Sequence, residues 1–296
     1  MVFLSYLING ISLGSVYAII ALGYTMVYGI AKMLNFAHGD VIMIGAYISF
    51  CVTHSLGMPA IVSVLAAMLV CTALGMTIER LAYKPLRSAP SLAVLITAIG
   101  MSYFLQNMAQ LIWGSNPRSF TSIVNFGTVK LFGGQVLITD EAIVTVLACI
   151  VIMIGLTLFT SRTKMGKAMR AVSEDKGAAQ LMGINVNHTI SITFAIGSAL
   201  AAIAGVLLCS TYPALMPTTG SMPGIKAFTA AVFGGIGSIP GAMLGGILLG
   251  LIEILSKAYL PVQLKGVSDA IVFLVLIVML LVKPTGLLGK KINEKV

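Results

Sequence analysis

Charge is what this sequence has least of: only 9% of its 296 residues are Asp, Glu, Lys or Arg, where a soluble domain carries about a quarter. Catalytic motifs are missing as well. There is no GxxxxGK(S/T) phosphate loop, no HExxH, no GxSxG and no Cys/His cluster at metal spacing, which removes nucleotide binding by that loop and the common zinc and serine hydrolase chemistries. The aqueous segments are too short to hold an active site, and catalysis at membrane depth would need paired groups where this chain scatters its candidates singly. No enzyme and no resident cofactor is expected. Cysteine is scarce, and Cys51, Cys71, Cys149 and Cys209 each lie inside an apolar run without CxxC spacing. They read as packing residues and not as disulfides or metal ligands. Nucleic acid is excluded too: the net charge is +9, but the bases are spread over loops and the C-terminus, with no single patch interleaved with aromatics.

What is present is oil. Hydrophobic residues make up 58% of the chain and mean hydropathy is +1.03, the composition of a polytopic membrane protein. About 20 apolar residues cross a bilayer as a helix, so the length suits an all-α fold of about eight or nine transmembrane helices in one domain, residues 1–296. The expected spans run over about 4–30, 40–53, 59–81, 91–113, 141–160, 189–212, 246–259 and 267–282, with a short apolar piece at 226–233. The N-terminal stretch has no basic region ahead of it and reads as a retained first span. Its Gly10, Gly14, Gly23 and Gly29 permit close helix approach. Loops at 80–90 and 162–188 and the tail with Lys283, Lys290, Lys291 and Lys295 are basic, hence cytoplasmic. With every apolar run a full crossing, the N-terminus faces outward. The loop 114–140 is then an extracytoplasmic excursion with strand-like alternation.

The longest polar interval, Arg162 to His188, holds Arg162, Lys164, Lys167, Arg170 and Lys176 against Glu174 and Asp175. Met165, Met169, Val172, Ala179 and Met182 recur at helical spacing and predict one amphipathic helix, stopped at Gly183. Two readings of it stand side by side, a loop that only sets topology and a docking helix for another subunit.

Two glycine-rich interruptions, 35–47 and 234–246, are expected to be counterparts in an inverted repeat, because unwound backbone survives at membrane depth only where it lines a cavity. Asn35, His38 and Asp40 at the first, and Gly235, Gly237 and Pro240 at the second, are the candidate pathway residues. Asp40 reads first as a helix N-cap. Glu79 is given the same reading. Lys226, Glu253 and Asp269 also lie in or beside spans, where an ionised group costs at least about 2.5 kcal/mol at the bilayer centre.

The segments 9–47, 166–186 and 230–253 resemble the permease subunits of branched-chain amino acid ABC transporters, and the length and the NFAHGD run resemble the smaller of the two permease types. The resemblance implies an importer of branched-chain amino acids (leucine, isoleucine or valine) or of a related small polar solute, in a bacterial plasma (inner) membrane. Its parts would be this chain, a sister permease, two cytoplasmic ATP-binding subunits that bind the ATP, and an extracytoplasmic substrate-binding protein, all held in membrane lipid. It also implies ATPase coupling through Gly166, Arg170, Glu174, Ala178, Ala179 and Gly183. Here Glu174 and Ala178-Ala179 are separated by Asp175, Lys176 and Gly177, a departure from the contiguous Glu-Ala-Ala of other importers. The alternative is a secondary carrier or channel working without ATPases.

Overall fold

The computed structural model describes residues 2–87, 89–124, 127–131 and 136–289; Lys290, Lys291 and Lys295 lie outside them. Helices α1 (Val2–Ala31), α3 (Ala60–Ile78, continued by tighter and wider turns to Leu86), α4 (Ser91–Trp113), α5 (Asp140–Arg162), α8 (Val186–Thr211) and α10 (Ile239–Tyr259) are long and apolar enough to cross a membrane. Between and after them come the shorter α2 (His38–Phe50), α6 (Lys164–Glu174), α7 (Lys176–Leu181), α9 (Ser221–Gly234) and α11 (Ser268–Val282). The all-α, multi-pass architecture agrees with the composition.

α1 is the axis, buried almost continuously from Ser12 to Ala31. It runs antiparallel to α10, and the two approach through glycine. A Cβ at Gly14 would stand 2.6 Å from the Cα of Ile247, and one at Gly10 would stand 3.1 Å from that of Leu251. Helices without an apolar-exclusion drive between them associate by such close backbone packing. Around this pair lie α8, α9 and α5, and α2 and α3 close the other side against α8. The outer faces of α3, α4, α5 and α11 are rows of exposed aliphatic side chains such as Leu69, Ile96, Val151 and Leu281, as a lipid-facing surface requires.

At the end away from the basic loops, β1 (Arg118–Ser119) pairs with β4 (Ala214–Leu215), and β2 (Val129–Leu131) with β3 (Val136–Ile138), both antiparallel. The strand-like alternation in the 114–140 excursion is thus a small hairpin. Its neighbour β1 is fastened to the segment that follows α8.

Candidate functional site

α1 ends at Ala31, and Lys32 turns the chain with a left-handed φ of +57°, a strained conformation for a residue with a Cβ. The chain then folds back along α1, so that the ring of His38, the first residue of α2, packs at a 60° tilt against Tyr24 with centroids 4.5 Å apart. At 1.5 Å per residue that is a return of roughly 10 Å into the bundle. Asn35 Oδ1 accepts a hydrogen bond from the Tyr83 hydroxyl at 2.9 Å. α2 therefore starts inside the protein and climbs outward, where Tyr47 stacks on Trp113 at 4.5 Å.

α9 is its counterpart in the opposite direction. After α8 the chain re-enters from the outer end and begins α9 beside α2: a Cβ on Gly39 would stand 2.7 Å from the carbonyl oxygen of Gly220, and one on Gly224 would stand 2.8 Å from Gly39 Cα. Two helix N-termini, each the positive end of a dipole, face one another there. The carboxylate of Asp40, in the first turn of α2 and 1% exposed, is the compensating charge. Gln106 Nε2 of α4 donates to Asp40 Oδ1 at 2.9 Å and to Ser221 Oγ, in the first turn of α9, at 3.2 Å. Asp40 is not the N-cap residue expected from its position: Ala37 is, and it makes no side-chain cap. Glu79 is no cap either; it is buried, ion-paired to Arg87, and accepts from Ser191 Oγ at 2.7 Å.

This moves the second break. The unwound residues within 234–246 are only Gly235–Ser238, since α10 already begins at Ile239 and Pro240 sits in its first turn. Gly235 packs on Leu288 and Gly289 of the tail, and Gly237 lies against Gly29 near the cytoplasmic end of α1. The helix break that meets the start of α2, at Gly39 and through Gln106 at Asp40, is instead the stretch leading into Ser221. Gly235, Gly237 and Pro240 lie one α9 length away, about 20 Å at 1.5 Å per residue. The run leading into α9 carries the sequence signal for it in Pro213, Pro217 and Pro223, residues that cannot continue a helix.

The polar interval forms two helices and not one. Asp175 leaves helical geometry at φ −151°, ψ 115°, and its Oδ1 accepts from the amides of Gly177 (2.7 Å) and Ala178 (3.0 Å), capping α7. Gly166, Met169, Val172 and Ala179 are buried against the bundle, with Met165 beside them. Met182 is not on that face: the break shifts the helical phase, and Leu181 and Met182 stand 91% and 82% exposed. Gly183 ends the element at φ +80°. Arg170 Nη2 donates to Ser161 O at 3.2 Å, while Glu174 and Ala178 face water. Lys176 Nζ donates to the carbonyl of Ala31 at 2.9 Å. Burial, and then the nearby Arg87 and Lys32, press the Lys176 ammonium below the usual lysine range.

A last cluster lies toward the outer end. Glu253 Oε1 accepts from Lys226 (2.8 Å) and Lys257 (2.5 Å), its Oε2 accepts from the Tyr17 hydroxyl (2.8 Å), and Lys226 also pairs with Asp269 at 2.8 Å. Sequence reading found the three in-span charges Lys226, Glu253 and Asp269 but gave them no common partner.

A multi-pass bundle whose interrupted helices meet in its interior, with an amphipathic element held on its basic face, is a transport permease. The chain belongs to the branched-chain amino acid transport system / permease component family, whose model matches residues 6–281. It is 47% identical over 306 aligned residues to the high-affinity branched-chain amino acid transport system permease protein LivH of Salmonella typhimurium, covering 99% of this chain and 98% of that one. The permease protein BraD of Pseudomonas aeruginosa is likewise 47% identical over the same shares. A probable branched-chain amino acid transport permease protein LivH of Methanocaldococcus jannaschii is 29% identical over 92% of this chain and 88% of its own. The protein is a multi-pass permease of the plasma (inner) membrane and not an enzyme.

Proposed function

We propose that this chain is the smaller permease subunit of an ATP-driven importer for branched-chain amino acids. In this reading it works with a sister permease, two cytoplasmic ATP-binding subunits that bind and hydrolyse the ATP, and an extracytoplasmic binding protein. The observation that carries the reading is the α6–α7 element. Its inner face is anchored on the bundle by Gly166, Met169, Val172 and Ala179, while its tip offers Leu181 and Met182 to water. An apolar pair on an otherwise basic cytoplasmic surface is a contact awaiting a partner. Glu174, Ala178 and Gly183 border that tip and belong to the docking surface; Gly166, Ala179 and Arg170 hold it to the membrane part.

Force has a short route inward. A shift of α7 reaches Ala31 through Lys176, and Ala31 is the last helical residue before the strained turn at Lys32 and the start of α2. The two-state element is the α2/α9 contact, which both the ATPase side and the outer face can bias. Asn35, His38 and Asp40 are the pathway residues at this contact; Gly235, Gly237 and Pro240 act as the cytoplasmic pivot of α9.

Purification in mild detergent tests the reading. Two ATP-hydrolysing subunits are expected to co-purify with the chain, and a self-sufficient homo-oligomer that accumulates solute without ATP would replace it with a secondary carrier. Within the importer, Lys176→Met is expected to lower ATP-driven uptake by about tenfold, the effect of losing one charge-assisted hydrogen bond. The amount of ATPase that co-purifies should stay the same. Wild-type uptake by this variant in proteoliposomes would remove Lys176 from the route.

A further inference from the structure

The Glu253 cluster borders a cavity of about 200 Å³. It opens at the extracytoplasmic end, for Tyr212 ends α8, Ala214 belongs to the outer strand pair and Lys257 is in the last turn of α10. Its floor is formed by Thr219 and Pro223, which flank Gly220 and Ser221 at the α2/α9 contact. The cavity thus stands directly outward of the interior break.

Two buried charges inside an apolar bundle, Lys226 and Glu253, with the partly exposed Asp269 and Lys257 beside them, are costly, and well-packed hydrophobic residues would serve stability as well or better. The arrangement leaves binding capacity unused. Glu253 is 2% exposed and already takes three donors; a carboxylate has about four lone-pair sites, so one remains. Lys257 is a different case, with a side chain 45% exposed at the cavity edge and, among the described residues, one ion pair for its three N–H groups. Leu13 and Leu208 supply the apolar part of the lining. An apolar cavity of about 150 Å³ takes benzene, so this one admits a small aliphatic molecule with a charged end. The larger cavity of about 280 Å³ between α1 and α5 is lined by Ile8, Ile11, Ile138 and other aliphatic residues, with nothing to orient such an end.

We propose that the outer cavity is a low-affinity binding site for a zwitterionic aliphatic α-amino acid, Lys257 taking the carboxylate, Glu253 the ammonium, and Leu13 and Leu208 the side chain. The proposal rests on the importer reading and names where in this chain the solute halts between the binding protein and the break. Weak binding suits that place, because a tight site there would hold what it must release.

The test uses the assembled importer in lipid nanodiscs, without binding protein, and radiolabelled leucine in a scintillation proximity assay. Saturable binding in the millimolar range is expected. 4-Methyl-2-oxopentanoate, which lacks the ammonium, and 3-methylbutylamine, which lacks the carboxylate, should compete at least about tenfold more weakly than leucine. Lys257→Gln removes a charge from a half-exposed position, and Ala214→Trp narrows the cavity from an exposed, uncharged position in its lining; each should weaken leucine binding about tenfold or more. Absence of saturable binding, equal competition by the two analogues, or wild-type binding by both variants would overturn the site. Parallel proteoliposomes with binding protein and ATP separate the two readings: leucine uptake there with no nanodisc binding sinks only the site, while no ATP-driven uptake sinks the importer reading itself.

Discussion

Gly220→Leu is expected to reduce ATP-driven uptake roughly a hundredfold or more. The side chain added at this position would run into the carbonyl oxygen and carbon of Gly39, and Gly39 in turn has the Gly220 carbonyl in the space where its own Cβ would lie. Backbone faces backbone on both sides, so no flexible side chain can swing away. Overpacking against a yielding neighbour costs about 1–3 kcal/mol, and here the only relief is to part the two helix starts. Parting them exposes the N-terminal amides of α2 and α9 and draws Ser221 away from Gln106, which also holds Asp40. A loss of about 3 kcal/mol in the contact corresponds to roughly a hundredfold. The long α1–α10 and α3–α8 pairings do not pass through this point, so membrane insertion and helix content by circular dichroism should survive. Normal uptake by Gly220→Leu would mean that the two helix starts do not have to meet during transport.

The double change Leu181→Asp with Met182→Asp is expected to abolish uptake by a different route, with the ATP-binding subunits lost from the purified complex. At 91% and 82% exposure the two side chains contribute little to the fold, and surface substitutions of this kind stay within about 0.5 kcal/mol. The thermal midpoint of the isolated permease should therefore hardly move. In the complex, apolar anchors at the centre of an interface cost about 2 kcal/mol or more each when lost, and burying an aspartate in their place adds to that. Melting temperature unchanged and ATPase absent is the expected pair of results. An unchanged yield of bound ATPase would return the α6–α7 element to a merely topogenic loop.

Much of this architecture is legible in the chain because the bilayer is a simple solvent. Apolar runs of spanning length must be helices there, since no other open structure satisfies its own backbone hydrogen bonds. The basic segments then settle which end is cytoplasmic. The polar segment announced itself by Arg162, Lys164, Lys167, Arg170 and Lys176 in a chain otherwise poor in charge, but its shape did not. A 3.6-residue periodicity carried through Asp175 places Met182 on the inner face, whereas the aspartate caps a new helix and turns that residue into water. Local competition between a capping side chain and helix continuation decided that, and it depends on backbone angles that a pattern of apolar residues does not encode.

The break told a similar story at longer range. Glycine and proline mark where a helix can stop, and both 213–223 and 234–246 carry that mark with equal force. Which of them reaches the interior is set by the fit of Gly39 against Gly220 and Gly224, contacts between segments far apart in the chain. The ion cluster is the same kind of fact: Lys226, Glu253 and Asp269 each look costly alone, and only the packing of α9, α10 and α11 brings them to one place with Tyr17 and Lys257.

Hydropathy and charge alone determined that this protein is a helical, multi-pass membrane chain with a basic amphipathic element on its cytoplasmic side, because those properties follow from the cost of exposing polar groups to lipid, residue by residue. Tertiary structure decided where the helix starts meet, which residues of the element face outward, and which charges share a partner, because each of these is a property of pairs that sequence spacing does not bring together.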